Sequence, residues 1–113
     1  MDEQIKIWLY DILTAIEEIE SFLGDGPKRF ADYHADIRTR RAVERNVAIM
    51  GEAMNRILKI NPGFTITAAR RIVDTRNRIV HGYDSVSDET MWGIVINHLP
   101  LLKAEIERLL GEQ

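Results

Sequence analysis

The sequence predicts an all-α protein: a single domain over residues 1–113 that forms an up-and-down four-helix bundle, with a short fifth helix or a kinked last helix. Three observations support this prediction. Apolar residues recur three and four positions apart in four separate stretches, which places them on one face of a helix in each. Clusters of glycine, proline and polar residues separate the stretches. A length of 113 residues allows one core with little surplus for a second.

The first helix is expected from about residue 3 to residue 23. Asp2 can cap it by accepting hydrogen bonds from the first free backbone N–H groups. Its apolar stripe consists of Ile5, Trp8, Leu9, Ile12, Ile16, Ile19 and Leu23. The segment 24–27, Gly-Asp-Gly-Pro, ends the helix because the glycines supply turn geometry and the proline lacks a backbone donor. One short helical turn can follow between Lys28 and Tyr33.

A longer second helix is expected from about Asp36 to Ile60, before the turn Asn-Pro-Gly at 61–63. It has two apolar stripes, Val43, Val47, Met50, Met54 and Ile57 on one side and Ala42, Ile49, Ala53 and Ile60 on the other. Two stripes predict burial on two sides, so the helix would be central in its own subunit and would also pack against a partner. Gly51 costs about 1 kcal/mol of helix stability relative to alanine, which predicts that another backbone approaches closely there.

The third helix, from about residue 67 to residue 81, has a charged residue in the middle of its apolar stripe. The stripe consists of Ala69, Ile72, Val73, Arg76, Ile79 and Val80. A guanidinium cannot lose its proton to relieve burial, so Arg76 requires a carboxylate, several carbonyls or an anionic ligand such as phosphate. Glu52 is the first acid expected to meet it, although an ion pair of Glu52 with Arg56, one turn later, is equally available.

Both ends of the third helix have suitable end residues. Thr65 or Thr67 can cap its start. Gly82 suits the position just past the last turn, which places His81 where the backbone carbonyls favour a protonated imidazole. Asn77 lies one turn before His81 and can hydrogen-bond the ring.

A fourth helix is expected to run to about residue 110 and to kink at Pro100. Its apolar seam consists of Trp92, Val95, Leu99, Leu102, Ile106 and Leu109.

Composition and charge exclude several classes of function. Cysteine is absent, so neither a disulfide framework nor a thiolate metal site is expected. The three histidines do not cluster and no phosphate-binding glycine loop occurs, so no metal and no cofactor are expected. His34 and His98 are expected to be ordinary structural residues. No stretch is long and apolar enough for a membrane span and no signal peptide is apparent, which predicts a cytoplasmic protein.

The net charge of -3 argues against nonspecific binding of nucleic acid by the whole surface. The arginines are nevertheless concentrated: eight of the eleven lie in two short windows, namely Arg38, Arg40, Arg41 and Arg45, and Arg70, Arg71, Arg76 and Arg78. This pattern predicts a local positive surface near Arg76. The alternative is that these arginines are solvated and paired with Glu44, Glu52 and Asp74.

The segment 76–83, Arg-Asn-Arg-Ile-Val-His-Gly-Tyr, resembles the signature of the HEPN superfamily and specifically of the small HepT-like toxins. The signature consists of Arg76, four intervening residues, His81, one residue and Tyr83. Such spacing of arginine and histidine alone arises often by chance. The resemblance extends, however, to residues 41–45, 51–53, 92–95 and 99–101, and to the length of the chain.

The resemblance implies a HEPN-like fold and a metal-independent endoribonuclease toxin whose active cleft forms across a homodimer. Arg76 would bind phosphate, His81 would act as acid and base, and Asn77 would orient a side chain or contact phosphate. The RNA-binding candidates are Arg41, Arg45 and Arg78. Tyr83 would accept AMP from a cognate MntA-like minimal nucleotidyltransferase antitoxin, as in type VII-like toxin–antitoxin systems.

Two alternatives remain open at this point. The chain can be a noncatalytic helical subunit that holds a nucleotide or phosphate for a minimal nucleotidyltransferase, using the same arginine and histidine. It can also be a purely structural bundle in which Arg76 belongs to an internal ion pair.

Overall fold

A computed structural model of the protein describes residues 1–81 and 86–111, and these ranges form helices joined by short connections. The helices are α1 (Glu3–Leu23), α2 (Phe30–Ala35), α3 (Ile37–Ile60), α4 (Ala69–His81), α5 (Asp88–Gly93) and α6 (Leu99–Gly111), and a π-helical turn over Ile94–His98 joins α5 to α6. The predicted all-α bundle is therefore confirmed, and α2 is the predicted short extra helix. None of these helices is both long and apolar enough to cross a membrane.

Helix α1 begins and ends as its sequence predicts. Asp2 Oδ1 accepts hydrogen bonds from the backbone N–H groups of Gln4 at 2.7 Å and Ile5 at 3.1 Å. Gly24 follows the last helical residue with φ of 72°, a conformation that favours glycine, and its N–H donates to the carbonyl of Glu20. The residues of its stripe that are buried in the core are Ile5, Leu9, Ile12, Ile16 and Ile19.

Helix α3 is the central element, packed against α1 on one side and α4 on another. Its first predicted stripe, Val43, Val47, Met50, Met54 and Ile57, is fully buried. The second stripe is divided. Ala53 is buried within the subunit, whereas Ile49 is 40% exposed and Ile60 is 49% exposed. The side of α3 that was predicted to meet a partner therefore remains partly on the surface of the subunit.

Gly51 is the point at which α3 and α4 approach most tightly. A Cβ atom at this position would overlap with Cβ of Arg76, and it would lie 2.9 Å from Cγ of Arg76 and 3.0 Å from the carbonyl oxygen of Ile72. The predicted close approach is confirmed, but the approaching backbone is that of α4 in the same subunit. Gly51 is therefore explained without a partner subunit.

The fourth helix of the predicted bundle is interrupted just before Pro100. The N–H of Leu99 donates to the carbonyl of Ile94, five residues earlier, which is the π-helical pattern. Pro100 has no N–H with which to continue the helical ladder, so the disturbance expected at the proline is accompanied by this wider turn. The seam residues Val95, Leu99, Leu102 and Ile106 are buried.

Two polar contacts attach the connections to the bundle. Thr67, one of the two candidate caps of α4, donates from its N–H and its Oγ1 to the carboxylate of Glu105 on α6, at 2.7 and 2.8 Å. At the other end of the bundle, Asp88 at the start of α5 accepts from Arg40 at 3.4 Å and lies 2.7 Å from Nδ1 of His34. The contacts of Asp88 therefore join α5 to α2 and α3.

We expect Gly51→Ala to destabilise the protein although alanine is the better helix former. The added methyl group must displace the stem of Arg76 or the backbone of α4, at about 1 to 3 kcal/mol. Urea denaturation measures the change. Gly93→Ala is the matched control, because Gly93 is also helical and has no neighbour within 4 Å of an added Cβ in the described chain. It should gain up to about 1 kcal/mol. Equal changes of the same sign at both sites would contradict the close approach.

Candidate active site on α4

Arg76 forms an ion pair with Glu52, the acid that its sequence context predicts first. Its Nη2 atom lies 2.5 Å from Oε2 of Glu52. Glu52 directly follows Gly51, the residue of α3 at which α4 approaches closely. The second oxygen of Glu52, Oε1, accepts from Nε of Arg56 at 3.1 Å. The two alternatives for Glu52 therefore occur together, and this carboxylate bridges an arginine of α4 and an arginine of α3.

Asn77 holds the same guanidinium from a second direction. Nη1 of Arg76 donates to Oδ1 of Asn77 at 2.9 Å. Asn77 was predicted to hydrogen-bond the ring of His81, but its amide oxygen accepts from Arg76 instead. With Glu52 on one nitrogen and Asn77 on another, Arg76 is held in a defined orientation, which reduces the entropy lost when it binds an anion.

Arg76 is not sealed inside the protein. Its side chain remains 23% exposed, and it lines an open cleft of about 390 Å³ between α1, α3 and α4. We call this the Arg76 cleft. Its charged residues are Arg45, Arg56 and Arg76 with Asp11 and Glu52, and the apolar residues at its walls include Trp8, Ile49 and Val80.

The electrostatic balance of the Arg76 cleft favours an anion only weakly. The described residues that line the cleft include three arginines and two carboxylates, which leaves one net positive charge among them. An incoming phosphate would gain from the fork of Arg76 and would be repelled by Glu52, which already occupies one edge of that fork. A single subunit therefore presents an oriented arginine but an incomplete phosphate site.

His81 lies apart from this cleft. It is the last residue of α4 and is exposed, and it is not among the residues that line the Arg76 cleft. Five residues turn a helix by roughly 140°, so Arg76 and His81 leave α4 on different faces. Gly82 and the proposed AMP acceptor Tyr83 lie outside the described residues. The structure thus brings Arg76, Asn77 and Glu52 together and places His81 on another face of the helix.

The three RNA-binding candidates lie in three different environments. Arg45 is exposed and lines the Arg76 cleft. Arg41 is exposed and forms a surface ion pair with Glu44 at 3.0 Å, as the alternative reading of the arginine windows predicted. Arg78 is exposed and lines a separate cavity on the opposite side of α4. Only Arg45 therefore shares a cleft with Arg76.

Two cleft residues on α1 were not predicted. Trp8 was assigned to the buried stripe of the first helix, but it is only partly buried and forms a wall of the Arg76 cleft. Asp11 contributes a carboxylate to the same cleft. Nothing in the sequence of α1 marks these two residues, because the packing of α1 against α3 alone decides which of its partly apolar positions meets the cleft.

The other histidines have ordinary surroundings. His34 is exposed on α2 and lies against Asp88, and His98 is half-buried in the π-helical turn. Within the described ranges no three histidine, aspartate or glutamate side chains are grouped so as to hold a metal ion.

Comparisons with known proteins agree with the resemblance to the HepT-like family. The family described as "Ribonuclease HepT-like" matches residues 12–109. A protein of Thermococcus cleftensis named "Probable ribonuclease HepT" is 32% identical over 113 residues. The match covers 96% of this chain and 98% of that protein. No solved structure matches the chain.

Two proteins of Methanocaldococcus jannaschii, each named "Putative RNase", are similar as well. One is 29% identical over 97% of this chain and 90% of its own length. The other is 31% identical over 91% of this chain and 94% of its own length. Since the family match spans most of the chain and these relatives are of nearly the same length, the chain belongs to the HepT-like ribonuclease family.

Proposed function

We propose that this protein is a metal-independent endoribonuclease, the toxin of a type VII-like toxin–antitoxin pair, and that it cleaves RNA with Arg76 and His81. The observation that carries the proposal is the position of Arg76 in a member of this ribonuclease family. This arginine is held by Glu52 and Asn77 and still opens onto a cleft. An arginine needed only for packing would not have to be exposed.

The chemistry requires no metal because RNA supplies its own nucleophile. The 2′-oxygen attacks the neighbouring phosphorus, its proton passes to an imidazole, and the bond from phosphorus to the 5′-oxygen breaks. A second, protonated imidazole gives its proton to the departing 5′-oxygen, and a cyclic 2′,3′-phosphate remains. Arg76 would hold the phosphate and stabilise the charge that develops on its oxygens.

A symmetric dimer would supply the two imidazoles that this mechanism uses. One subunit offers a single His81, and that residue leaves α4 on a different face from Arg76. A two-fold axis that brings two α4 helices together would place Arg76 of one subunit near His81 of the other. The exposed Val80 and Ile49 beside the Arg76 cleft support this arrangement, because a second subunit would remove these apolar side chains from water.

We further propose that a cognate MntA-like minimal nucleotidyltransferase neutralises the toxin by joining AMP to the hydroxyl of Tyr83. The new bond would link the tyrosine oxygen to the α-phosphorus of ATP, with release of pyrophosphate. Tyr83 lies two residues after His81 in the sequence. An anionic nucleotide attached there would repel the phosphates of RNA and fill space next to the imidazole.

The ion pair between Arg76 and Glu52 also favours a second candidate, in which Arg76 has only a structural role. The two candidates differ in what the loss of Arg76 would do. In the structural role, Arg76→Ala leaves Glu52 with Arg56 as its remaining ion-pair partner and lowers stability. In the catalytic role, Arg76→Ala also abolishes RNA cleavage, even by the molecules that remain folded.

We expect His81→Ala and Arg76→Ala each to lower the rate of RNA cleavage by about 100-fold or more, since each removes one direct contribution to the transition state. Cleavage of total RNA by the purified proteins, with EDTA present throughout, measures the rates, and thermal unfolding confirms that the variants are folded. His34→Ala is the matched control, because His34 is exposed and contacts Asp88. Full cleavage by His81→Ala, or loss of wild-type cleavage in EDTA, would contradict the mechanism.

We expect the two variants to complement each other if the site is shared between subunits. A mixed dimer of one Arg76→Ala subunit and one His81→Ala subunit retains one intact Arg76 opposite one intact His81. Mixing the inactive proteins and allowing their subunits to exchange should restore a measurable fraction of wild-type cleavage. Exchange must be verified with differently tagged subunits. A mixed dimer that forms and remains inactive would show that each subunit needs its own pair.

We expect coexpression with the cognate nucleotidyltransferase to add one AMP to the wild-type protein and none to Tyr83→Phe, which would remain toxic. Intact-protein and peptide mass spectrometry locate the adduct. Tyr10→Phe is the control for exposed tyrosine, since Tyr10 is 50% exposed. Tyr33 is a poor acceptor of AMP, because it is buried and its burial raises the pKa of its hydroxyl to about 12. A neutralised toxin with unmodified Tyr83 would exclude this mode of inhibition.

A further inference from the structure

Helix α4 has a polar face that lies away from the Arg76 cleft. Arg71, Asp74, Arg78 and His81 follow one another at intervals of three, four and three residues, so they lie along one side of the helix. Arg78 is one turn from His81, and Arg71 is two further turns away, roughly 10 Å along the axis. His81 is therefore closer in helical register to these arginines than to Arg76.

The arginines of this face line a cavity of about 440 Å³ between α4 and α5. The described residues that line it are Arg71, Asp74, Thr75, Arg78 and Thr90, and we call it the α4–α5 cavity. Arg71 and Arg78 are both exposed, and within the described ranges neither lies within 4 Å of a carboxylate oxygen. They differ in this respect from Arg40, Arg41, Arg56 and Arg76, each of which is ion-paired.

Asp74 is the only acid among the described residues that line the α4–α5 cavity, so these residues set two arginines against one carboxylate and together contribute one net positive charge. The hydroxyl of Thr75 donates to the carbonyl of Arg71 at 2.8 Å, which leaves the two guanidinium groups as the principal free donors. A guanidinium fork matches the geometry of phosphate oxygens. The cavity is thus suited to an anion that approaches along α4.

We propose that the α4–α5 cavity is a backbone subsite for the RNA strand beyond the scissile phosphate, in which Arg71 and Arg78 bind phosphates that flank the cleaved bond. The inference rests on the proposed function, because it takes His81 as the point of cleavage. It deepens that function by separating two tasks. Arg76 acts at the reacting phosphate, whereas Arg71 and Arg78 position the strand and take no part in the chemistry.

Phosphate contacts of this kind make specific predictions about binding. They carry no base information, so their loss should weaken the binding of different RNA sequences by similar factors. They also release counterions, so each lost contact should reduce the slope of log affinity against log salt by about 0.7 for a single strand. Asp74 should have the opposite effect, because its carboxylate repels the same phosphates.

The test measures binding of labelled single-stranded RNA oligonucleotides over a range of salt concentrations. His81→Ala is the background, so that the RNA is not cleaved. Adding Arg71→Ala or Arg78→Ala should weaken binding about 3- to 10-fold at low salt and reduce the salt slope, whereas adding Asp74→Asn should tighten binding. Arg29→Ala is the matched control, because it removes one exposed arginine from the connection before α2.

The outcomes separate this inference from the proposed function. Arg29→Ala should leave the salt slope unchanged. If Arg71→Ala and Arg78→Ala also leave it unchanged while the wild-type protein still cleaves RNA, the subsite is excluded and the proposed nuclease activity stands. If Asp74→Asn weakens binding, the subsite is excluded as well. If the wild-type protein neither binds nor cleaves RNA, both proposals fail. In protein that keeps His81, Arg78→Ala should raise KM and change kcat by no more than about 2-fold. The reason is that the lost contact binds the bound substrate and the transition state equally.

Discussion

The contact between α3 and α4 at Gly51 is the constraint on which the site depends. Because Gly51 has no side chain, the stem of Arg76 lies directly against the backbone of α3. The next residue of α3 is Glu52, so the same close approach brings its carboxylate within reach of the guanidinium. Any larger residue at position 51 would separate the helices and move the charged pair together with them. Packing and electrostatics are thus joined in two consecutive residues.

Two faces of helix α4 explain the composition of the site. One face carries the buried Ile72 and Val73 into the core and Arg76 into the adjoining cleft. Val80 belongs to the same stripe but lies exposed at the wall of that cleft, contrary to its prediction as a core residue. The other face carries His81. A helix that separates its arginine from its histidine in this way cannot assemble them alone, which is the physical reason for proposing a shared site.

The sequence predicted those parts of the protein that depend on local chemistry. The bounds of α1 and the buried stripe of α3 follow from capping groups and from the 3.6-residue period, and the structure confirms them. The need of Arg76 for a carboxylate, several carbonyls or an anionic ligand also follows locally, because a guanidinium stays charged wherever it lies. Glu52 was expected first, since it follows the glycine at which close packing was predicted.

Other features could not be read from the chain alone, because they depend on how separate helices meet. The sequence determined that an all-α bundle would form, that a charged arginine would interrupt an apolar stripe, and that a histidine would follow five residues later. Only the tertiary structure decided that α4 itself closes on Gly51, that Asn77 is bound to Arg76, and that Trp8 of α1 forms a wall of the cleft. Helical periodicity specifies which residues share a face, but the neighbour of that face is selected by packing over long distances along the chain.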